Sequence, residues 1–573
     1  MADNGTPVRA RRRLRDRVPV RLRHHWRPVG ALCAGLAVMV YAFGDARVSP
    51  YVTSSSRVEA DVITDDVRGT VGLYDTSVPH SIQLGYDQTE FDKMMKEFQE
   101  DGNKEYIKAD LTVDGVFLKD VGLRLKGNST LMSLRGNGGR GMPGGGRNMP
   151  GDAGGTGATG AAQGAPAPQQ QDGGAGDTAG DRGGRGGGMT QYDLSAAKPE
   201  ELPWLIKVDE YIEGRAYQGE REISLRPGSN AQVPVNEALT LNLMDTSGLK
   251  NERYAFTSVK VNDRPEATRL MVENPDTEYA DSAGDGNGVM YKARAGSSFA
   301  YAGDDPTDYE ESFKQLNKVG SQDLEPVMKL IRWVDQASDE EFAEHLDEYV
   351  DVKSFATYVA AQNLLLNSDD MAGPGKNYLL WYDLDTKKFT VLGWDYNLTL
   401  SGDATTGPDD EFGMGGGMGG GMGAGAGAAQ EDGRGAAGGD TRMPQGMPEG
   451  APEGMPEGMP GGMPGGGAAQ GQDGEGGADG GPGGGAGGGM GGHALKERFL
   501  ASDAFDAVYK KAYRELYEKF YGSGTALKAL DRVADEASAA GADSGDLDTA
   551  VGNLRKTVKE RTTALAKNEE VTG

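Results

Sequence analysis

Apolar and polar residues alternate over Tyr106–Val113 and again over Val116–Lys126, the spacing of two half-buried strands. Asp114-Gly115 between them is a strong hairpin signal. Tyr51–Leu134 as a whole reads as strand-rich, and Leu202–Val272 reads as strands and turns. The period then changes. Asp323–Asn367 is predicted helical, with Leu324, Val327, Met328, Ile331 and Val334 recurring every three or four residues. Pro326 suits the first turn of that helix, and Val352–Leu366 forms a second, apolar one. Tyr378–Tyr382 and Phe389–Trp394 read as a hairpin around Asp385-Thr386-Lys387. The tail reads as three helices, Phe499–Phe520, Leu527–Ala539 and Leu547–Leu565, separated by Gly522 and Gly541.

Two stretches break these patterns. Residues from about Arg135 to Gln191, and from about Asp403 to Gly492, consist mostly of Gly, Ala, Pro, Gln and Met. They have too few large apolar residues to offset the entropy of ordering, so they are predicted to be disordered insertions extruded from one domain. The Met-Pro pairs at 443, 447, 455, 459 and 463 fall on a four-residue spacing without a hydrophobic face. They read as a flexible spacer, with soft copper binding as the less favoured alternative.

Nine arginines lie between Arg9 and Arg27, followed by an uncharged apolar run from Val29 to Phe43. A basic flank before an apolar run predicts a cytoplasmic N-terminus and a chain that continues outside. The run is short for a spanning helix. A signal anchor over 29–44 is favoured over a peptide cleaved near Gly44 or Ala46. The formal net charge of -28 disfavours nucleic acid as a partner, so a nucleotide would need a locally basic pocket. The single cysteine, Cys33, excludes an intrachain disulfide and a Cys-based zinc site. With few histidines beyond the N-terminal region, a metal would be Mg²⁺ or Mn²⁺ on Asp and Asn oxygens.

The segment richest in chemistry is Asn363–Gly402. A helix ends, a polar loop follows with Asn367, Asp369, Asp370, Lys376 and Asn377, and a hairpin delivers Trp394-Asp395-Tyr396-Asn397. Phosphoryl transfer uses such a set: one Asp orients the acceptor hydroxyl, while an Asn and a second Asp hold Mg²⁺ against the phosphates. The same residues also suit a helix cap, a solvated turn and a core Trp beside a satisfied carboxylate.

The motifs make this segment resemble the CotH (spore coat protein H) kinase family. They are Asn367-x-Asp369, Asn377-Tyr378, the hairpin Tyr382-Asp383…Thr386…Lys388-Phe389, and Trp394-Asp395-Tyr396. Weaker motifs fall in the same order: VGLRLKGNST at Val121–Thr130, PWLIKVDEY at Pro203–Tyr211, GVMYK at Gly288–Lys292, and the Leu554–Leu565 helix with Arg561. The resemblance runs from about residue 70 to 567, outside the two blocks. It implies an α+β, bilobal, atypical protein-kinase-like fold, with a strand-rich N-lobe, a helical C-lobe and two disordered Gly-rich insertions.

It also implies ATP-dependent phosphorylation of serine in surface or coat proteins. Asp369 matches the catalytic Asp, with Asp370 as the alternative, and Asn377 and Asp395 match the metal ligands. Lys207, Lys292 and the turn Lys126-Gly127-Asn128-Ser129 are the nucleotide-binding candidates. A lysine on an apolar strand is costly unless paired, which supports Lys207, although the solvent face of an edge strand would hold it equally well. Lys292 and Arg124 carry the same alternative. Asn397 stands where the family usually has Asp, which removes one charge near the metal site.

The expected organisation is a basic cytoplasmic segment (1–28), an anchor (29–44), an N-lobe portion (51–134) and an insertion (135–192). The rest of the N-lobe with the catalytic core (193–402), a second insertion (403–492) and closing helices (493–567) follow. The expected protein is a single-pass membrane kinase facing outward, with secretion after cleavage as the alternative. Its expected partners are ATP with Mg²⁺ or Mn²⁺, a serine-containing protein and the membrane. Competing functions are a kinase-shaped scaffold or adhesin without catalysis, and ATP-dependent transfer of another group.

Overall fold

A computed structural model describes residues 62–127, 129–135, 192, 194–284, 286–410 and 492–573. The predicted anchor and nearly all of both predicted disordered blocks lie outside these residues. Among the described residues, no helix is long and apolar enough to cross a membrane. Val62–Asn317 and Leu324–Gly573 form one compact unit. Lys318–Asp323 falls in a separate unit, as a short turn in which the Ser321 and Gln322 amides donate to the Lys318 carbonyl.

In chain order the strands are β1 (Asp65–Val67), β2 (His80–Tyr86), β3 (Ile107–Val113), β4 (Val116–Leu125), β5 (Trp204–Lys207), β6 (Arg215–Tyr217) and β7 (Glu222–Leu225). They continue as β8 (Tyr254–Val261), β9 (Ala267–Glu273), β10 (Gly288–Ala293), β11 (Phe313–Gln315), β12 (Tyr378–Asp383) and β13 (Phe389–Gly393). The helices are α1 (Gln88–Asp101), α2 (Val235–Thr246), α3 (Thr277–Ala283), α4 (Glu325–Gln336), α5 (Asp339–Tyr349) and α6 (Val352–Leu364). After the second block come α7 (Ala494–Ala501), α8 (Asp503–Tyr517), α9 (Thr525–Ala539), α10 (Ser544–Leu565) and α11 (Glu569–Thr572).

This is a mixed α+β fold. Strands β2-β3-β4-β5-β7-β9-β8 close into a barrel, antiparallel except where β2 meets β8. Alternate residues such as Ile82, Leu84, Leu123, Leu125, Trp204, Ile206 and Met271 share one buried core. The β3–β4 hairpin turns at Asp114 and Gly115, both at positive φ, as the sequence pattern predicts. Helix α1 lies in the stretch that alternation assigns to strands. Its Phe91, Met94, Met95 and Phe98 follow a helical period, and the Asp87 side chain caps its first turn through the Thr89 and Glu90 amides.

The second sheet, β11-β10-β12-β13, is apolar on both faces. Val289, Tyr291 and Leu380 join the large helical core, while Met290, Leu379, Trp381 and Leu392 join a smaller one. Helix α2, inside the predicted strands and turns of Leu202–Val272, is buried on several sides, so its sequence shows no amphipathic period. The predicted tail helix over Phe499–Phe520 is divided at Ser502 into α7 and α8, and a π-helical turn extends α8 over Glu518–Gly522.

Arg561 of α10 is fully buried and fixes where α6 ends. Its guanidinium donates to the carbonyls of Leu364 (2.7 Å), Asn363 (2.8 Å) and Thr406 (2.9 Å). The Tyr521 hydroxyl adds a bond to Leu364 at 2.8 Å. The last carbonyls of a helix lack intrahelical donors, and here buried side chains supply them. Residues 403–410, which the composition assigns to the low-complexity block, are therefore bonded into the folded unit. Arg561 holds Thr406, and the Tyr509 hydroxyl bonds the Pro408 carbonyl at 2.8 Å.

The β3–β4 turn is tied to β2 by a buried histidine. His80 Nδ1 lies 2.8 Å from Asp114 Oδ2, and Ser81 N donates to Asp114 Oδ1 at 2.7 Å. Burial opposes the charged imidazolium. The bonds to the Asp114 carboxylate and the Asp75 carbonyl outweigh it, so the His80 pKa is raised. Asp114 resists the same burial through these bonds, and its pKa is lowered. The charged pair thus stabilises the fold between the lowered Asp114 pKa and the raised His80 pKa, and this contribution is lost as pH climbs through the latter. Asp114→Asn should lower the melting temperature by about 2–4 °C near pH 5.5, and by less near pH 8.5. An equal loss at both pH values in thermal denaturation would contradict the assignment.

Candidate functional site

The loop after α6 is built around one carboxylate. Leu366 takes a positive φ, and the Asn367 side chain accepts the Asp369 amide at 3.2 Å while donating to Gln362 at 2.7 Å. The Asp369 carboxylate then receives two donors, Gly375 N on Oδ1 at 2.5 Å and Asn377 Nδ2 on Oδ2 at 3.0 Å. Two glycines permit this closeness. A Cβ on Gly375 would lie 2.3 Å from Asp369 Oδ2, and one on Gly373 would lie 2.4 Å from Asp369 Cα. Burial pushes the Asp369 pKa up to about 6; the Gly375 amide opposes that, and the nearby Asp395 and Asp370 charges add to it.

Asp370 faces elsewhere. Its carboxylate accepts Ala372 N at 2.8 Å and pairs with Lys496 at 2.5 Å, and it does not line the cavity that Asp369 lines. Strand β13 delivers the third group. Asp395 sits just beyond its end in the left-handed region, φ 59° and ψ 63°. Its amide donates to the buried Glu252 carboxylate at 3.0 Å, and burial pushes the Glu252 pKa up to about 7. Asp395 Oδ1 lies 3.1 Å from the Arg226 guanidinium, which also pairs with Glu237 of α2 at 2.5 Å.

Asp369, Asn377 and Asp395 line one cavity of about 920 Å³, together with Lys126, Gly127, Lys292 and Asn397. That volume suits a nucleotide-sized ligand. Seven Lys and Arg side chains line it against five Asp and Glu, in a chain whose formal charge is -28. Positive charge is therefore concentrated where a polyanion would enter. Lys126 Nζ donates to Ser224 Oγ (2.7 Å) and Asn274 Oδ1 (2.6 Å), and burial pulls its pKa down to about 7. Lys292 Nζ lies 3.5 Å from the Trp394 ring centroid, and burial lowers its pKa to about 8.

Lys207 does not line the cavity. The cost of a lysine on an apolar strand is met instead by Asp209 (3.4 Å) and Glu210 (2.9 Å), which hold its ammonium at the end of β5. Asn128 lies outside the described residues, as does the side chain of Ser129. Sequence reasoning missed Arg226, Glu237, Glu252 and Asn274, which surround the residues it picked. For the three charged residues the visible signal was charge next to apolar runs, such as Arg226 directly after the strand residues Ile223–Leu225, and Asn274 gave none.

Among the described residues, no group of three or more His, Cys, Asp or Glu side chains is placed to hold a metal ion. The donors of this wall are two carboxylates and an amide. Such hard oxygens suit Mg²⁺, which usually keeps one or two protein carboxylates and fills its shell with phosphates and water. Asp395 Oδ1 is buried and already faces the Arg226 guanidinium at 3.1 Å, with which a metal ion would have to compete.

Residues 185–433 match the CotH kinase protein family. The CotH match contains Asp369, Asn377, Asp395, Lys292 and Arg226, and leaves out Lys126. Inner spore coat protein H of Bacillus subtilis (strain 168) is 23% identical over 205 residues, 34% of this chain and 54% of the relative. The chain thus spans about half the length of that curated relative. The match is narrower than the stretch from 70 to 567 over which motifs can be read. The barrel strands and closing helices outside it are specified mainly by burial pattern, which many sequences satisfy.

Arg226 is the buried counter-charge of this wall. Arg226→Met should leave Glu237 and Asp395 without their cation and cost roughly 3–5 kcal/mol of stability. Urea denaturation measures it, and a loss under about 1 kcal/mol would show that the pair is solvated instead.

Proposed function

We propose that this protein is a CotH-type protein kinase that binds ATP with Mg²⁺ or Mn²⁺ in the cavity and phosphorylates serine on surface or envelope proteins. In this reading the barrel is the strand-rich N-lobe and the helical portion the C-lobe of a bilobal, atypical protein-kinase-like fold. Residues 29–44 anchor the chain with its catalytic domain outside the cell. The observation that carries the reading is the meeting of Asp369, Asn377 and Asp395 on the wall of one basic cavity.

Each side chain has a role within its reach. Asp369 keeps a lone pair on each oxygen beyond those used by Gly375 and Asn377, so it can orient the acceptor hydroxyl and take its proton. Lys126 and Lys292 supply ammonium groups to the phosphates without depending on counter-ions from solvent. Asn377 and Asp395 would hold the divalent cation, whose charge offsets that of the phosphates. Glu252 holds the Asp395 backbone through its amide, and Arg226 holds the carboxylate until a cation competes for it.

One observation favours a second reading. Asn397 replaces the family's final Asp, and Asp395 already has a cationic neighbour in Arg226. A kinase-shaped scaffold or adhesin without catalysis is consistent with both.

Incubation of the full chain with labelled ATP and Mg²⁺ or Mn²⁺ separates the readings. Phosphate should appear on the chain itself or on an added protein acceptor, and an acceptor mass increase larger than phosphate would indicate transfer of another group. Asp395→Ala should abolish metal-dependent nucleotide binding. Asp369→Asn should keep binding and lower transfer by about 100-fold or more. A folded wild-type chain that binds no nucleotide would support the scaffold.

The lysines predict a pH dependence. Lys126 binds phosphate as the ammonium, and its pKa lies near 7. Affinity for Mg-ATP should fall as pH rises from 6.5 to 8.5, by up to about tenfold, and Lys126→Met should flatten that slope. Calorimetry showing affinity independent of pH in the wild type would exclude Lys126 from the phosphate site.

A further inference from the structure

Part of the hold on the loop that carries Asp369 comes from residues far along the chain, C-terminal to the family match. Asp370, next to Asp369, points its carboxylate into an ion pair with Lys496 of α7 at 2.5 Å. The Asp370 side chain is almost fully buried and that of Lys496 mostly so. Two residues on, Ala372 O accepts Gly492 N at 3.3 Å, and Lys376 Nζ donates to the Gly492 carbonyl at 3.1 Å. His493 completes the brace. Its ring packs 4.2 Å from Phe299 and 5.1 Å from Tyr378, centroid to centroid, and its Nε2 lies 3.2 Å from the Tyr378 hydroxyl.

These contacts grip both ends of the loop, at Asp370–Ala372 and at Lys376–Tyr378. Between the grips lie Gly373, Pro374 and Gly375, whose backbone closes on the Asp369 carboxylate. A loop with two glycines has little stiffness of its own. Its conformation must come from what it is fastened to: Tyr358 accepts the Met371 amide and the Gly296 amide donates to the Pro374 carbonyl, both at 3.2 Å, and the C-terminal segment adds one charge pair, two bonds to the Gly492 backbone and one buried ring.

We infer that Gly492–Lys496 is the brace of the catalytic loop and that Lys496 is a positioning residue for Asp369, acting through Asp370. The inference rests on Asp369 being the catalytic carboxylate. It adds a requirement that the family match does not contain: the segment following residues 411–491 belongs to the active site. Lys496 does not line the cavity. Its removal leaves the phosphate-binding wall of Lys126 and Lys292 untouched, and releases the half of the site that aligns the hydroxyl.

The test uses the full chain with Lys496→Met and Lys496→Arg. Lys496→Met should lower kcat by about 10- to 100-fold, as expected for a catalytic group displaced on the order of 1 Å. The Mg-ATP dissociation constant should stay within about twofold, because no phosphate contact is lost. Hydrogen exchange should quicken in peptides covering 369–377, and Lys496→Arg should restore most of both kcat and protection. Unchanged kcat and exchange in Lys496→Met would overturn the inference. So would a loss of Mg-ATP binding and melting temperature in step with kcat, which marks a general structural role. If the wild type transfers no phosphate, the kinase reading fails by itself. The exchange measurement still decides whether Lys496 holds the loop: local deprotection over 369–377 supports it and none refutes it.

Discussion

Asp369 is bound at both carboxylate oxygens by its own loop, by the Gly375 amide on one and the Asn377 side chain on the other. Such closeness is possible only because Gly373 and Gly375 have no side chain to collide with it. The remainder of the helical portion can be understood as fixing where that loop begins and ends. Arg561 and Tyr521 terminate α6 at Leu364, Tyr358 receives the Met371 amide at 3.2 Å, and the Gly492–Lys496 segment fastens the far side. A charged carboxylate in so enclosed a place pays for its burial with a raised pKa, which the hydrogen bonds only partly offset.

The barrel contributes the opposite charge. Lys126 extends from the end of β4 and is held by Ser224 and Asn274, while Arg226 follows β7 and reaches Asp395. Burial depresses the Lys126 pKa, while the carboxylates around Arg226 hold its pKa above the ordinary value, and in so enclosed a place an anion would find little competition from water. The pairing of Arg226 with both Glu237 and Asp395 links α2 to the end of β13. That link makes the position of Asp395 depend on the barrel side of the molecule as well as on its own hairpin.

Much of this was legible in the sequence where local rules govern. The Asp114-Gly115 hairpin, the helices over Glu325–Leu364 and the β12–β13 hairpin follow from periodicity and turn chemistry. Helices α1 and α2 did not, for two reasons. One sits among strands and reveals itself only through its cap and the spacing of four residues, Phe91, Met94, Met95 and Phe98; the other is buried on several faces and has no polar side to mark a period. At the site, motif spacing located Asp369, Asn377 and Asp395, but spacing carries no information on which lysine finds a partner. Lys207 found Asp209 and Glu210, and Lys126 found the cavity. Lys496 lies more than a hundred residues from Asp370 in the chain, and no local pattern links the two.

The most direct test is a structure of the full chain with a non-hydrolysable ATP analogue and Mg²⁺. The nucleotide should occupy the cavity with its phosphates against Lys126 and Lys292, the cation on Asn377 and Asp395, and the terminal phosphate facing Asp369. A nucleotide bound at another surface, or an Arg226–Asp395 pair with no cation on Asp395 at saturating nucleotide and Mg²⁺, would contradict a phosphotransfer site built on these residues.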